Sequence, residues 1–207
     1  ANPNNPTGTY ITERELSDFC KELDARFGDE GPIVVLDEAY KEYVVAEDYP
    51  DGLEWLKRRR RTIVLRTFSK AYGLAGIRLG YGIADPAIWD LVNRLRQPFN
   101  INNLSLVAAI AALDDTDHLN QSVALNREGM AVLTRELEAR GLGVTPSQTN
   151  FLLVDFHRDA SELFPELLRR GVIVRPMGPY GLGHCARVTV GLPNENAKFL
   201  VALDEVL

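Results

Sequence analysis

Side chains that could together bind a phosphorylated carbonyl compound lie close in the sequence, at Ser69, Lys70 and Arg78. The lysine amine can form a Schiff base with an aldehyde. The serine hydroxyl can donate a hydrogen bond to a phosphate oxygen, and the arginine guanidinium can donate two parallel hydrogen bonds to the same group. This set of groups favours a ligand that carries both a carbonyl and a phosphate.

Apolar runs flank this stretch at residues 62–65 and 79–84. Both runs are short and rich in apolar or β-branched residues, which predicts buried strands, so Lys70 is expected on a connection just past a strand end. A loop lysine is more often a solvated charge. Glycines nearby, such as Gly73 and Gly76, favour the functional interpretation, because they let the backbone approach a ligand closely.

The preceding sequence predicts an α/β unit. Residues 12–15 form a capping-box pattern, and apolar residues then recur at helical spacing as far as Gly28. A continuous apolar run at residues 33–36 follows and ends at Asp37, which indicates a strand buried in a parallel sheet. Ligands of open α/β sheets bind at the carboxyl ends of strands, where Asp37 and Lys70 are both expected.

The remaining sequence alternates further helices and strands. Pro86 opens a helix, and residues 104–113 predict a small-residue apolar helix packed on both sides. An acidic break at residues 114–117 precedes a long amphipathic helix, and we place a domain boundary near residue 115. Domains are thus expected at residues 1–115 and 116–207, with later strands at 143–145, 150–156, 172–175 and 186–190 and helices at 160–170 and from Pro193.

Composition restricts the class of protein. The 207 residues are 45% hydrophobic and 25% charged, as in ordinary globular proteins, and the net charge of −6 gives no basic footprint for nucleic acid. Cys20 and Cys185 match no metal-binding or redox spacing. No apolar run reaches membrane-spanning length, so we expect no membrane partner and a cytoplasmic location.

Separated motifs together resemble one family. They are residues 4–8 (NNPTG), 37–40 (DEAY), 69–78 (SKAYGLAGIR) and 187–191 (RVTVG). In their order and spacing they resemble the fold type I, pyridoxal-phosphate-dependent aminotransferases, and most of all the histidinol-phosphate aminotransferases. The resemblance implies part of a large α/β domain, with a mostly parallel sheet and helices on both faces, and a smaller α+β C-terminal domain.

The same resemblance implies how pyridoxal 5'-phosphate would be held. Lys70 would bind the cofactor aldehyde, and its freed amine would carry the proton between the substrate Cα and the cofactor. Asp37 would keep the pyridine nitrogen protonated, although an N-cap after the strand is an alternative role. The other implied contacts run from the phenolic oxygen to Asn5 and Tyr40, and from the phosphate to Ser69 and Arg78.

Residues implied to bind the substrate lie near the C-terminus. Arg187 would bind the anionic group of the substrate, with Arg175 as a second arginine and Asn150 close by. Two arginines suit a doubly charged phosphate better than a single carboxylate. A solvated strand end for Arg175 and a turn for Asn150 are the alternatives.

The expected reaction is amino transfer between L-histidinol phosphate and 2-oxoglutarate in a homodimer, without a metal. An aromatic amino-acid aminotransferase and a threonine-phosphate decarboxylase-like enzyme are alternatives. Other classes are a cofactor-sensing domain of a regulator and an inactive fragment. Since the family carries cofactor-binding segments upstream of residues 4–8, we expect a C-terminal portion of a longer protein that turns over poorly alone.

Overall fold

The computed structural model describes residues 1–28 and 31–207. The chain forms two compact units, one of Ala1–Pro3 with Tyr10–Asn120 and one of Asn4–Thr9 with Gln121–Leu207. Assignment of functional domains with a boundary near residue 115 stays a prediction. Within the described ranges, no helix is both long enough and apolar enough to cross a membrane.

The first unit contains a sheet with the strand order β1-β2-β3. Strand β1 (Val34–Asp37) runs parallel to β2 (Thr62–Thr67), and β3 (Gly80–Ala84) runs antiparallel to β2. Asp37, the last residue of β1, pairs with Leu65. Because β1 and β2 are parallel, their carboxyl ends lie at one edge of the sheet, which is the edge that leads to Lys70.

Helix α1 (Glu13–Phe27) begins with the predicted capping box. Thr12 Oγ1 accepts a hydrogen bond from the Glu15 amide at 3.2 Å, and the Glu15 carboxylate accepts one from the Thr12 amide at 2.7 Å. Gly28 ends the helix at φ 58°, a left-handed value that glycine adopts readily. The helix packs on β1 and on α2 (Gly52–Arg58) through the buried side chains of Leu16, Cys20, Leu36 and Trp55.

The predicted burial of the strands is only partly correct. Leu36 and Val64 are buried, but Val35 is 49% exposed and Leu65 37% exposed. The strands alternate between covered and exposed side chains, as expected for a sheet covered mainly on one face within this unit. No residue of β3 is fully buried.

Two helices follow, the amphipathic α3 (Pro86–Leu95) and the apolar α4 (Asn103–Asp114). The prediction that α4 packs on both sides is wrong, because Leu104 is 83% exposed and Val107 is 66% exposed. The helix buries only the narrow face that carries Ser105 and Ala109.

The second unit is an antiparallel sheet with helices against it. Helix α5 (Thr116–Ala139), which belongs to this unit from Gln121 onward, precedes the sheet, whose strand order is β4-β5-β7-β6. The predicted strand at 172–175 is wrong, since pairing with β7 begins only at Arg175. Val172 and Val174 instead join the hydrophobic core. The elements are β4 (Gly143–Thr145), β5 (Phe151–Asp155), α6 (Ala160–Arg169), β6 (Arg175–Met177), β7 (Leu182–Thr189) and α7 (Pro193–Asp204).

Helix α6 allows a matched test of this core. Leu167 is fully buried in the core, whereas the next residue, Leu168, is 45% exposed. We expect Leu167→Ala to lower the free energy of unfolding by about 2–5 kcal/mol, because it leaves a cavity. Leu168→Ala should change it by less than about 1 kcal/mol. Chemical denaturation of both variants checks this, and equal losses would contradict the packing.

Candidate active site

Asp37 lies at the carboxyl end of β1 with its side chain exposed. Its Oδ1 accepts a hydrogen bond from the Ala39 amide at 3.2 Å. A carboxylate offers about four acceptor positions, so Asp37 can accept a hydrogen bond from a further donor such as a protonated pyridine nitrogen.

Lys70 follows β2 in a tight turn, in which the Gly73 amide donates to the Lys70 carbonyl at 2.9 Å. The Lys70 ammonium nitrogen lies 5.2 Å from the centroid of the Tyr40 ring, a cation–π distance. Tyr40 is only 4% exposed and follows Asp37 in the turn after β1. The structure therefore brings the amine close to the turn that carries Asp37.

Ser69 and Arg78 lie beside each other, as two ligands of one phosphate must. Arg78 Nη1 is 3.4 Å from Ser69 Oγ and also donates to the Ala75 carbonyl at 3.0 Å. Arg78 adopts φ 52°, a left-handed conformation that costs a non-glycine residue roughly 1–3 kcal/mol. The guanidinium is exposed, and its other N–H groups have no partner among the residues described. These groups fit a phosphate.

The loop that holds these residues is anchored at Phe68. This side chain is 3% exposed and packs against the rings of Tyr72 and Tyr81, with centroids 5.2 and 5.5 Å away. Its amide donates to the Leu79 carbonyl at 3.1 Å, which closes the base of the loop. Helix α4 adds Ala109 to the same cluster. Burial raises the pKa of Tyr72, and the Glu42 carboxylate adds to the rise.

In the second unit, Arg175 and Arg187 are direct partners across β6 and β7. Paired residues of antiparallel strands lie on one face with Cβ atoms about 4.5–5.5 Å apart, and like charges there are destabilising. The Arg187 guanidinium stacks over the Phe151 ring at 4.9 Å. Its Nε is buried without a hydrogen-bond partner in the part of the chain that is described. An anion bound by both arginines would offset the repulsion between their charges.

Asn5 lies beside Arg187, which the sequence did not predict. Arg187 Nη1 donates to Asn5 Oδ1 at 2.7 Å. The Asn5 loop is fixed by Gly8, at φ 77°, whose carbonyl accepts a hydrogen bond from the Gln148 amide at 2.8 Å. A Cβ atom at Gly8 would lie 2.2 Å from Ser147 Oγ, so the close approach requires glycine.

Asn150 precedes β5, and its carbonyl accepts a hydrogen bond from the Val190 amide at 2.9 Å. Glu38, which had no predicted role, is 1% exposed and pairs with Arg66. The available signal was a charged residue at position 66, directly after the apolar residues 63–65 of the same strand. No group of three or more His, Cys, Asp or Glu residues in the described ranges is arranged to hold a metal ion.

Along its length, this chain is similar to known proteins of one protein family. The profile of the family described as aminotransferase class I and II matches residues 1–203. A histidinol-phosphate aminotransferase of Pseudomonas fluorescens is 51% identical over 207 residues, which are 100% of this chain and 55% of that protein. The chain thus spans about half the length of the curated relatives it matches.

Solved structures show the same fold. The histidinol-phosphate aminotransferase of Sinorhizobium meliloti, in complex with pyridoxal-5'-phosphate, superposes with a TM-score of 0.85 at 33% identity, covering 99% of this chain and 55% of that one. The L-threonine-O-3-phosphate decarboxylase of Porphyromonas gingivalis superposes with a TM-score of 0.82 at 26% identity, covering 99% and 62%.

Proposed function

Because the chain belongs to the aminotransferase class I and II family, we propose that it carries the lysine-bearing part of a pyridoxal-phosphate-dependent aminotransferase. The observation that supports this most strongly is the position of Lys70. Its amine lies over Tyr40, in the turn that follows Asp37, at the carboxyl edge of two parallel strands. An aldehyde cofactor at this edge would meet an amine and a carboxylate from neighbouring strands.

Pyridoxal phosphate, when bound, supplies an electron sink that stabilises negative charge at the substrate Cα. In the first unit, Lys70 would hold the aldehyde carbon; once the substrate amine displaces it, the freed neutral amine would carry the proton from the substrate Cα to the cofactor. Asp37 keeps the ring nitrogen protonated. The remaining proposed contacts are those of Tyr40 with the phenolic oxygen and of Ser69 and Arg78 with the phosphate.

The second unit supplies the proposed substrate-binding residues. Arg187 and Arg175 bind the anionic group of the amino donor, and Asn150 lies at the start of the neighbouring strand. The role of Asn5 toward the phenolic oxygen stays a prediction.

The favoured reaction is amino transfer from L-histidinol phosphate to 2-oxoglutarate. Two arginines on one face suit a phosphate dianion, and several relatives about half identical to the chain are named for this activity. A threonine-phosphate decarboxylase-like activity is the second candidate, because the same arginines would suit that substrate and one such enzyme shares the fold. We also propose that the intact protein forms a homodimer and is located in the cytoplasm.

Arg175→Ala tests the substrate class. In the intact enzyme, we expect kcat/KM for L-histidinol phosphate to fall about 10- to 100-fold, since a hydrogen bond to a charged group contributes about 1.5–3 kcal/mol. Activity toward L-histidinol, which lacks the phosphate, should change little. Arg135→Ala, an exposed arginine of the same unit, is the control. Equal losses for both substrates would exclude a phosphate-binding role for Arg175.

Product analysis of the intact enzyme separates the two candidate reactions. Release of carbon dioxide from L-threonine O-3-phosphate, without glutamate formation from 2-oxoglutarate, would favour the decarboxylase. Glutamate formation that depends on L-histidinol phosphate would favour the aminotransferase.

A further inference from the structure

Glu38 is a buried carboxylate that the proposed mechanism does not use. It follows β1 directly and is 1% exposed, although charged residues are rarely buried unless they are paired. Its Oε2 accepts a hydrogen bond from Arg66 Nε at 2.9 Å. Arg66 Nη2 lies 2.9 Å from the same oxygen, outside hydrogen-bonding geometry. The buried charge is therefore paired with a residue of the parallel neighbour β2.

The other carboxylate oxygen is held by a third element. Glu38 Oε1 accepts a hydrogen bond at 2.9 Å from the backbone amide of Gly52, the first residue of α2. A Cβ atom at position 52 would lie 2.4 Å from this oxygen, so the contact depends on glycine. With both oxygens held, the side chain of Glu38 is fixed in one position.

The backbone of Glu38 is tied to the same strand. Its amide donates to the Leu65 carbonyl at 2.9 Å, and its carbonyl accepts a hydrogen bond from the Lys41 amide at 3.1 Å. The turn that begins at Asp37 is thus joined to β2 through backbone and side chain together.

The geometry points to Glu38 as a positioning residue for the aminotransferase reaction, an inference that rests on the proposed function. By binding Arg66, Glu38 fixes the positions of Asp37 and Tyr40 relative to β2, the strand that leads to Lys70. Fold stability alone does not require an ion pair here, since an apolar pair of similar volume is often equally stable. Catalytic groups need support that fixes their direction, and the hydrogen bonds of Glu38 provide it.

The test is the double variant Glu38→Leu/Arg66→Met of the intact enzyme. Because it removes both charges of the Glu38–Arg66 pair together, we expect it to fold with an unfolding midpoint near that of the parent. We expect kcat to fall roughly 10- to 100-fold, since small displacements of catalytic groups have effects of this size. The KM for the amino donor should stay unchanged, and the absorbance maximum of bound pyridoxal phosphate should shift. The exposed pair Glu54 and Lys57, changed to the same residues, is the control.

Gly52→Ala gives an independent result, because it displaces the carboxylate without removing a charge. It should lower kcat, and it should shift the absorbance maximum of bound pyridoxal phosphate in the same direction as the double variant does. A folded double variant with the kcat and spectrum of the parent would overturn the inference. Failure of both variants to fold would also overturn it, by assigning the pair to stability. A parent enzyme without an absorbance band that depends on Lys70 would instead contradict the proposed function itself.

Discussion

Replacing Lys70 with alanine in the intact enzyme is expected to lower kcat by about 10³-fold or more, because positioned acid–base catalysis contributes about 10²- to 10⁴-fold and the covalent step is lost as well. The amine over the Tyr40 ring is the group proposed to accept the substrate Cα proton. Steady-state transamination of L-histidinol phosphate with 2-oxoglutarate measures the loss. The absorbance of the covalently bound cofactor should disappear in the same variant.

Two further variants separate the chemistry of this amine from its charge. Lys70→Arg keeps a positive charge but cannot supply a neutral amine, so it should be as inactive as the alanine variant. Lys57→Ala removes a lysine whose side chain is 70% exposed and should leave kcat unchanged. A Lys70→Arg enzyme with near-parental activity would show that the amine is not the acid–base group.

Replacing Arg187 with alanine is expected to lower kcat/KM by about 10²- to 10³-fold, since each hydrogen bond to a charged group contributes about 1.5–3 kcal/mol and a guanidinium can donate two to one anion. In a double-displacement reaction the amino donor and the 2-oxo acid use the same anion site. The loss should therefore appear for both substrates. Steady-state kinetics with each substrate varied in turn measures it.

The design of this experiment must account for packing, because Arg187 stacks on Phe151 and binds Asn5. Arg187→Lys keeps the charge but loses the planar fork, so an intermediate loss is expected. Arg169→Ala, on the exposed surface of α6, serves as the control. Full activity of Arg187→Ala with either substrate would exclude the residue from anion binding.

Local sequence rules predicted the features that depend on neighbouring residues. The capping box at Thr12, the glycine at position 28 and the end of β1 at Asp37 are all found. Each is set by hydrogen bonds or backbone conformations within a few residues. The placement of Lys70 just beyond β2 follows from the same kind of pattern.

Features that depend on distant partners were not predictable. The composition of α4 indicated burial, but only the Ser105 and Ala109 face is covered within its unit. The run at 172–174 is β-branched, yet pairing with β7 starts at Arg175. Hydrophobic pattern reports that a side chain prefers burial, and it does not report which neighbour covers it or which strand pairs with it.

In the candidate site, too, local features could be predicted and contacts between distant residues could not. Motifs placed Asp37, Lys70 and Arg78 near one edge, but nothing local indicated that Arg78 is left-handed at φ 52°. The contact between Asn5 and Arg187 joins residues 182 positions apart, and only the fold reveals it. The pairing of Glu38 with Arg66 likewise depends on strand register.

Peptide mapping after borohydride reduction can identify the lysine that is linked to the cofactor. The reductant converts the lysine–cofactor link of the intact enzyme into a stable amine, and mass spectrometry then locates it. We expect the added mass on the peptide that contains Lys70. Modification of another lysine of this chain, namely Lys21, Lys41, Lys57 or Lys198, with Lys70 unmodified, would contradict it.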